Sequence, residues 1–189
     1  MERKIVVSVF GSSQTPPTDS LYQDAFSIGA FLAEKNCIVL NGGYGGIMEA
    51  VSKGVYSNKG KVFGITCEIF KYAKPNRFLT KEIKTQNLYE RLEKLIEDSD
   101  IYVVFPGSTG TMAEFTLTIE MLSKFKKLKP VIFWTDYWKN IVDNMKKLII
   151  LGDLRIKPDN VVEEGKNKFP IYFVSSIQEF EKIINEYMR

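Results

Sequence analysis

Histidine is absent from all 189 residues. That excludes a Ser-His-Asp triad, a Cys-His pair, a His-ligated zinc site and a histidine general base. Any acid–base chemistry rests on Asp, Glu, Lys, Tyr, Cys or water. Cysteine is nearly absent too: Cys37 and Cys67 stand alone, far apart and in no metal-ligand spacing. Each reads as a small apolar core residue, and no metal site is expected. No apolar run approaches the ~20 residues that cross a bilayer as a helix. Charge of one sign is also lacking, since 26 Lys and Arg face 23 Asp and Glu for a net +3. The two signs are interspersed, which argues against nucleic acid as a partner. The segment from Lys71 to Lys84 is locally basic and reads as a solvated face, its alternative being attraction of an anionic small molecule. The opening MERKIVVSVFGSS has too short an apolar stretch for a signal peptide and reads directly as a strand. The expectation is a cytoplasmic protein with no membrane partner.

What is present is ordinary globular composition, 44% hydrophobic and 26% charged, at a length that suits one domain over 1–189. Short β-like runs alternate with helical ones. Ile5 to Phe10, Ile38 to Leu40, Lys61 to Thr66, Ile101 to Phe105, Val131 to Trp134 and Ile171 to Val174 read as strands. Helical spacing links Leu21, Ala25, Ile28 and Leu32. It recurs from Ile47 toward Ser57, from Leu88 to Asp98, through Met112, Phe115, Ile119 and Leu122, and over Tyr137 to Leu151. Ser175 or Ser176 caps a last helix bearing Ile177, Phe180, Ile184 and Tyr187. An irregular stretch with Pro75-Asn76 follows the third strand. Apolar strands alternating with helices predict an α/β fold, a doubly wound Rossmann-like parallel sheet with helices on both faces.

In such a fold ligands sit at the carboxyl ends of the strands, against the free N–H groups of the following helices. Three strand-to-helix junctions are rich in small residues: Gly11-Ser12-Ser13, Asn41 to Gly46, and Pro106 to Thr111. Tight turns use glycine in any case. Two long glycine loops and a Gly-Ser-Ser turn in one sheet point further, to a phosphate of nucleotide type. Neither loop is a P-loop or a Gly-x-Gly-x-x-Gly fingerprint, so generic NAD binding is not supported. Candidate phosphate contacts are Gly107, Ser108, Thr109, Gly110 and Thr111, with Gly42, Gly43, Gly46, Ser12 and Ser13 on the other side. Glu114 reads either as an acid complementing a helix N-terminus or as a carboxylate aimed at the ligand. Arg91 falls at the edge of its helix's apolar stripe, and spacing alone leaves a structural ion pair and a functional role equally open. Glu49 and Glu120 are acids in otherwise apolar helices and receive no role.

These residues resemble the Lonely Guy family, which also carries a lysine decarboxylase label. Its hallmark Pro-Gly-Gly-x-Gly-Thr-x-x-Glu reads here as Pro106-Gly107-Ser108-Thr109-Gly110-Thr111-Met112-Ala113-Glu114. Its earlier loop is similar to Asn41-Gly42-Gly43-Tyr44-Gly45-Gly46-Ile47-Met48, and its Met-His-x-Arg-Lys segment corresponds to Leu88-Tyr89-Glu90-Arg91-Leu92. Ser108, Asn41, Leu92 and Ala113 depart from the family pattern, and Gly46-Ile47-Met48-Glu49-Ala50 with the Ala113-Glu114 ending resembles divergent bacterial branches. The resemblance implies a Rossmann-like homodimer without cofactor. It also implies a nucleoside monophosphate ligand and a phosphoribohydrolase that splits AMP or N6-modified AMP into base and ribose 5-phosphate. The family's essential Arg and Glu fall on Arg91 and Glu114. The alternative is a non-catalytic carrier or sensor of a nucleotide or of molybdenum cofactor.

Overall fold

The computed structural model describes residues 3–124, 129–149, 154–156, 162–164 and 167–188. The chain alternates strand and helix from the start. β1 (Val6–Phe10), α1 (Ser20–Glu34), β2 (Ile38–Asn41), α2 (Ile47–Ser57) and β3 (Lys61–Cys67) lead to β4 (Lys81–Thr85), α3 (Leu88–Glu97) and β5 (Ile101–Val104). Then come α4 (Thr109–Lys124), β6 (Val131–Trp134) and α5 (Lys139–Ile149). Three short strands follow, β7 (Leu154–Ile156), β8 (Val162–Glu164) and β9 (Asn167–Phe169), and the chain closes with β10 (Ile171–Val174) and α6 (Ile177–Tyr187). Residues 150 and 151, included in the predicted fifth helix, lie outside the described residues.

Seven strands form one parallel sheet in the order β10-β6-β5-β1-β2-β3-β4. This is the doubly wound α/β architecture that the alternating pattern predicts. β7, β8 and β9 form a separate antiparallel sheet that the periodicity does not reveal. The chain leaves β1 in one direction across the sheet and returns to the other side of it at β5, so β1 and β5 are neighbours at the switch in strand order. A crevice opens at the carboxyl ends of such a pair.

The alternation of strand side chains builds two cores. Val7, Val9, Val39, Val103, Ile132 and Trp134 pack under α1, α2 and α6. Phe10, Leu40, Tyr102, Val104, Val131 and Phe133 pack under α3, α4 and the start of α5. Apolar side chains on both faces are what a parallel sheet covered twice requires. Ser8 interrupts the run on β1, yet it is fully buried and satisfied: its hydroxyl donates to the Leu95 carbonyl at 2.6 Å and accepts from Ser99 Oγ at 2.8 Å.

Two expectations are corrected. The stretch between the third strand and Leu88 is not irregular throughout, because it ends in β4, the edge strand of the sheet. β4 reads Lys-Glu-Ile-Lys-Thr and needs no apolar run, since an edge strand meets solvent. On α3 the buried face is Arg91, Leu95 and Ile96, whereas Leu88, placed on the apolar stripe by spacing, stands exposed at the first turn.

Candidate functional site

The switch in strand order fixes where the three small-residue junctions meet. Phe105 N donates to the Phe10 carbonyl at 2.9 Å and Ser12 N to the Pro106 carbonyl at 3.1 Å, so the Gly-Ser-Ser turn and the Pro106 loop run side by side. Trp138 Nε1 donates to the Phe105 carbonyl at 2.9 Å and holds the end of β5 from the far side. The earlier glycine loop is drawn in by Ile47 N, which donates to the Ser12 carbonyl at 2.9 Å. Together these walls enclose a cavity of about 390 Å³ whose lining includes Ser12, Ser13, Ser108, Gly110, Thr111, Arg91 and Glu114.

Two glycines are required by this packing. Gly46 stands at φ 64° and ψ −132°, a conformation that side-chain-bearing residues rarely adopt. A Cβ there would lie 2.2 Å from the Ser12 carbonyl oxygen. At Gly42 a Cβ would lie 1.9 Å from Arg91 Nη2. The earlier loop therefore closes over the guanidinium. Asn41, where the family pattern has glycine, is fully buried. Its Oδ1 accepts from Gly43 N at 2.8 Å and its Nδ2 donates to Ser52 Oγ at 3.0 Å. The side chain makes an Asx-type bend and ties β2 to α2.

Arg91 and Glu114 face each other across the floor of the cavity, from α3 and α4. Arg91 Nη1 donates to Glu114 Oε1 at 3.1 Å, and Arg91 Nε donates to the Ile65 carbonyl at 2.9 Å. Both side chains are about nine-tenths buried, at 9% and 10% exposure. Glu114 is in the second turn of α4, since the helix begins at Thr109. The reading of it as an acid complementing the helix N-terminus is therefore corrected: it is a buried acid with a specific partner. Burial raises its pKa above the ordinary carboxylate value, while the Arg91 charge and hydrogen bond pull it down and only partly offset that rise. Breaking such a pair by removing one member leaves an uncompensated buried charge, which costs about 3–5 kcal/mol.

The predicted site residues divide into two groups. Ser12, Ser13, Ser108, Gly110, Thr111, Arg91 and Glu114 line the cavity. Gly42, Gly43, Gly46, Gly107 and Thr109 are not on its wall. The first three build the wall from behind, and Gly107 packs so closely that a Cβ would lie 2.2 Å from Thr111 Oγ1. Past Ser108, whose carbonyl accepts from Met112 N at 3.0 Å, the first amides of α4 have no intrahelical partner. This positive end of the helix lies at the cavity wall with Ser108 and Thr111.

Gln14, Tyr44, Gly45, Met48, Phe70, Ala73 and Lys74 also line the cavity, and sequence reasoning did not single them out. Tyr44 had a signal, as the one large side chain inside the glycine loop. Phe70 and Lys74 had none, because they sit in a stretch with no periodicity. Lys74 belongs to the basic segment read as a solvated face, and it alone of that segment's Lys and Arg residues reaches the cavity wall. Glu49 does not line it; its carboxylate meets the Tyr22 hydroxyl. Glu120 pairs on the surface with Lys124 at 3.7 Å. A second cavity of about 390 Å³, between α3 and α4, shares no residue with the glycine loops.

Fold and crevice define a Rossmann-like protein with its cavity at the switch in strand order. A family model described as the SLOG cluster4 family matches residues 4–174, and the chain belongs to that family. The resemblance to Lonely Guy proteins stands with it. An uncharacterized protein of Archaeoglobus fulgidus is 29% identical over 126 residues, covering 67% of this chain and 81% of its own length. A rice (Oryza sativa) protein named "Probable cytokinin riboside 5'-monophosphate phosphoribohydrolase" is 27% identical over 167 residues, covering 82% of this chain and 69% of its own. The solved structure of the molybdenum cofactor binding protein from Rippkaea orientalis covers 100% of both chains at TM-score 0.74 and 20% identity. At that identity the likeness speaks for the fold alone. Among the described residues, no helix is long and apolar enough to cross a membrane.

Proposed function

We propose that this chain is a nucleoside 5′-monophosphate phosphoribohydrolase, which hydrolyses the N-glycosidic bond of AMP or N6-modified AMP to free base and ribose 5-phosphate. One observation carries the reading: the buried Arg91–Glu114 pair opens onto the same cavity as the N-terminus of α4. The phosphate sits against the first amides of α4, with the Ser108 and Thr111 hydroxyls donating to its oxygens. Ser12 and Ser13 close the opposite side. Held there, the ribose lies over Glu114. As the bond from C1′ to the base nitrogen lengthens, positive charge grows on C1′ and the ring oxygen, and the Glu114 carboxylate, itself largely buried, stabilises it. Water then adds to C1′, its proton passes to solvent or to the carboxylate, and the base leaves with a proton. Arg91 fixes the carboxylate's orientation through Nη1 while Ile65 holds the guanidinium through Nε. The family likeness to the rice phosphoribohydrolase supports this chemistry. The homodimer implied by the resemblance and the cytoplasmic location expected from the sequence belong to the same proposal.

A second reading keeps the cavity and drops the chemistry: a carrier that holds a phosphorylated ligand without cleaving it, a role compatible with the fold shared with a molybdenum cofactor binding protein. The two separate in one experiment. The protein is incubated with AMP, other nucleoside monophosphates and an N6-prenylated AMP, and products are resolved by chromatography. Base and ribose 5-phosphate are expected, with Glu114→Gln lowering turnover by about a thousandfold while AMP affinity stays within severalfold. Tight binding with no product from any nucleotide establishes the carrier reading instead.

A further inference from the structure

The end of the cavity away from α4 is closed by the connection between β3 and β4. It is latched onto the earlier glycine loop at three points. Tyr44 Oη accepts from Cys67 N at 2.9 Å, Asn76 N donates to the Gly43 carbonyl at 2.8 Å, and Asn76 Nδ2 donates to the Tyr44 carbonyl at 3.0 Å. The latched connection presents Phe70, Ala73 and Lys74 to the cavity, facing Tyr44 and Met48. The Phe70 ring meets Tyr44 edge-on, with centroids 5.6 Å apart and planes at 86°. β3 stands three places from β5 in the sheet, about 14 Å at ~4.8 Å per strand. A sugar therefore fits between a phosphate at α4 and a planar ring at Phe70.

The chemistry at this end is one-sided. Tyr44, Phe70, Met48 and Ala73 offer apolar surface for a ring, and Tyr44's hydroxyl is already engaged with Cys67. Arg91 is engaged with Ile65 and Glu114. Among the described residues, Lys74 is the other cation on the wall, and its ammonium has no hydrogen-bond or ion-pair partner. An ammonium donates three hydrogen bonds and accepts none. It can meet a carbonyl oxygen on a ring edge and repels an amino group there.

Resting on the nucleotide reading above and revising only its base, we propose that Phe70 and Lys74 are the specificity-determining residues of this site, and that among purine nucleoside monophosphates they favour the 6-oxopurines, whose O6 accepts a hydrogen bond, over the 6-aminopurine of AMP. Phe70 provides the face on which the ring stacks, and Lys74 donates to the carbonyl. The preference is a property of the connection and is independent of the phosphate grip at α4.

The test is equilibrium binding by calorimetry of GMP, IMP, AMP and ribose 5-phosphate to Glu114→Gln, which suppresses turnover, with and without Lys74→Met or Phe70→Ala. GMP and IMP bind about tenfold more tightly than AMP, the gain a single charge-assisted hydrogen bond supplies. Lys74→Met brings that ratio to about one and leaves ribose 5-phosphate unchanged. Phe70→Ala weakens all three nucleotides alike and also leaves ribose 5-phosphate unchanged. AMP binding as tightly as GMP overturns the proposal. So does a Lys74→Met loss shared by ribose 5-phosphate, which makes Lys74 a phosphate ligand. Base release by the wild-type protein is followed separately. A carbonyl preference in binding without base release refutes the hydrolase and leaves the ring-end assignment standing; release from AMP as fast as from GMP, indifferent to Lys74, does the reverse.

Discussion

The two glycine loops look alike as strings and do opposite work. Asn41 to Gly46 spends its backbone on construction. Gly42 makes room for Arg91, Gly46 bends back against Ser12, and Asn41 braces the loop from inside. Pro106 to Thr111 puts Ser108, Gly110 and Thr111 on the cavity wall at the start of α4, and a Cβ at Gly110 would meet nothing within 4 Å. Glycine density thus marks a crowded junction as readily as an open anion site. What separates the two is the neighbour. The first loop packs against a buried guanidinium and a backbone carbonyl, whereas the second meets open space at Gly110. The first loop is therefore expected to answer mutation in stability and the second in ligand binding.

Gly46→Ala breaks the comparison hardest. The substituted residue carries backbone strain of about 1–3 kcal/mol at this dihedral, and its Cβ would collide with the Ser12 carbonyl, which is backbone and cannot rotate away. A total loss of about 3 kcal/mol lowers the melting temperature by about 6–12 °C for a chain of this length. Calorimetric melting checks it. A variant that melts within two degrees of the wild type, about 0.5–1 kcal/mol on the same scale, would show that the loop yields and is not the brace described.

Glu114 stands between the two loops and supplies a graded effect. Its folded pKa is raised, mainly by burial. A carboxyl with a raised folded value contributes stability that is fully present below its unfolded value, ~4.3 for Glu, and lost as pH climbs through the folded value. The melting temperature of the wild type minus that of Glu114→Gln therefore falls as pH rises from that region, then levels off once the carboxylate has formed. Turnover that needs the carboxylate rises over the same interval. A stability difference that grows with pH would mean that Arg91 outweighs burial and holds the acid below its ordinary value.

Much of this was legible in the residues. Short apolar runs gave the core strands, because a doubly covered parallel sheet must be apolar throughout, and the helical run starting near Ile47 toward Ser57 falls on α2. β4 was not legible: with Ile83 as its lone apolar side chain it has the pattern of a loop, and only its place at the sheet edge makes it a strand. Arg91 and Glu114 could be picked as candidates by family motif, but their pairing could not. The two lie 23 residues apart, and nothing in the helical spacing of either says that α3 and α4 aim them at one point. The ring end was the least readable. Phe70 and Lys74 reach the cavity through latches made by Tyr44 and Asn76, tertiary contacts with no periodic signature.

The smallest effect on stability is the sharpest test of the contrast. Gly110 is the open-loop counterpart of Gly46, inside the first turn of α4 and not confined to left-handed backbone. Alanine there keeps the amide, favours the helix by up to about 1 kcal/mol, and projects its methyl into the space a ligand would fill. Gly110→Ala is therefore expected to melt at or slightly above the wild-type temperature while KM for a nucleotide monophosphate rises and kcat changes little. Loss of kcat with KM unchanged would place the methyl against the reacting atoms rather than the phosphate. A melting temperature lowered as far as in Gly46→Ala would mean that both loops are packed against their neighbours, and the division between a building loop and a binding loop would not hold.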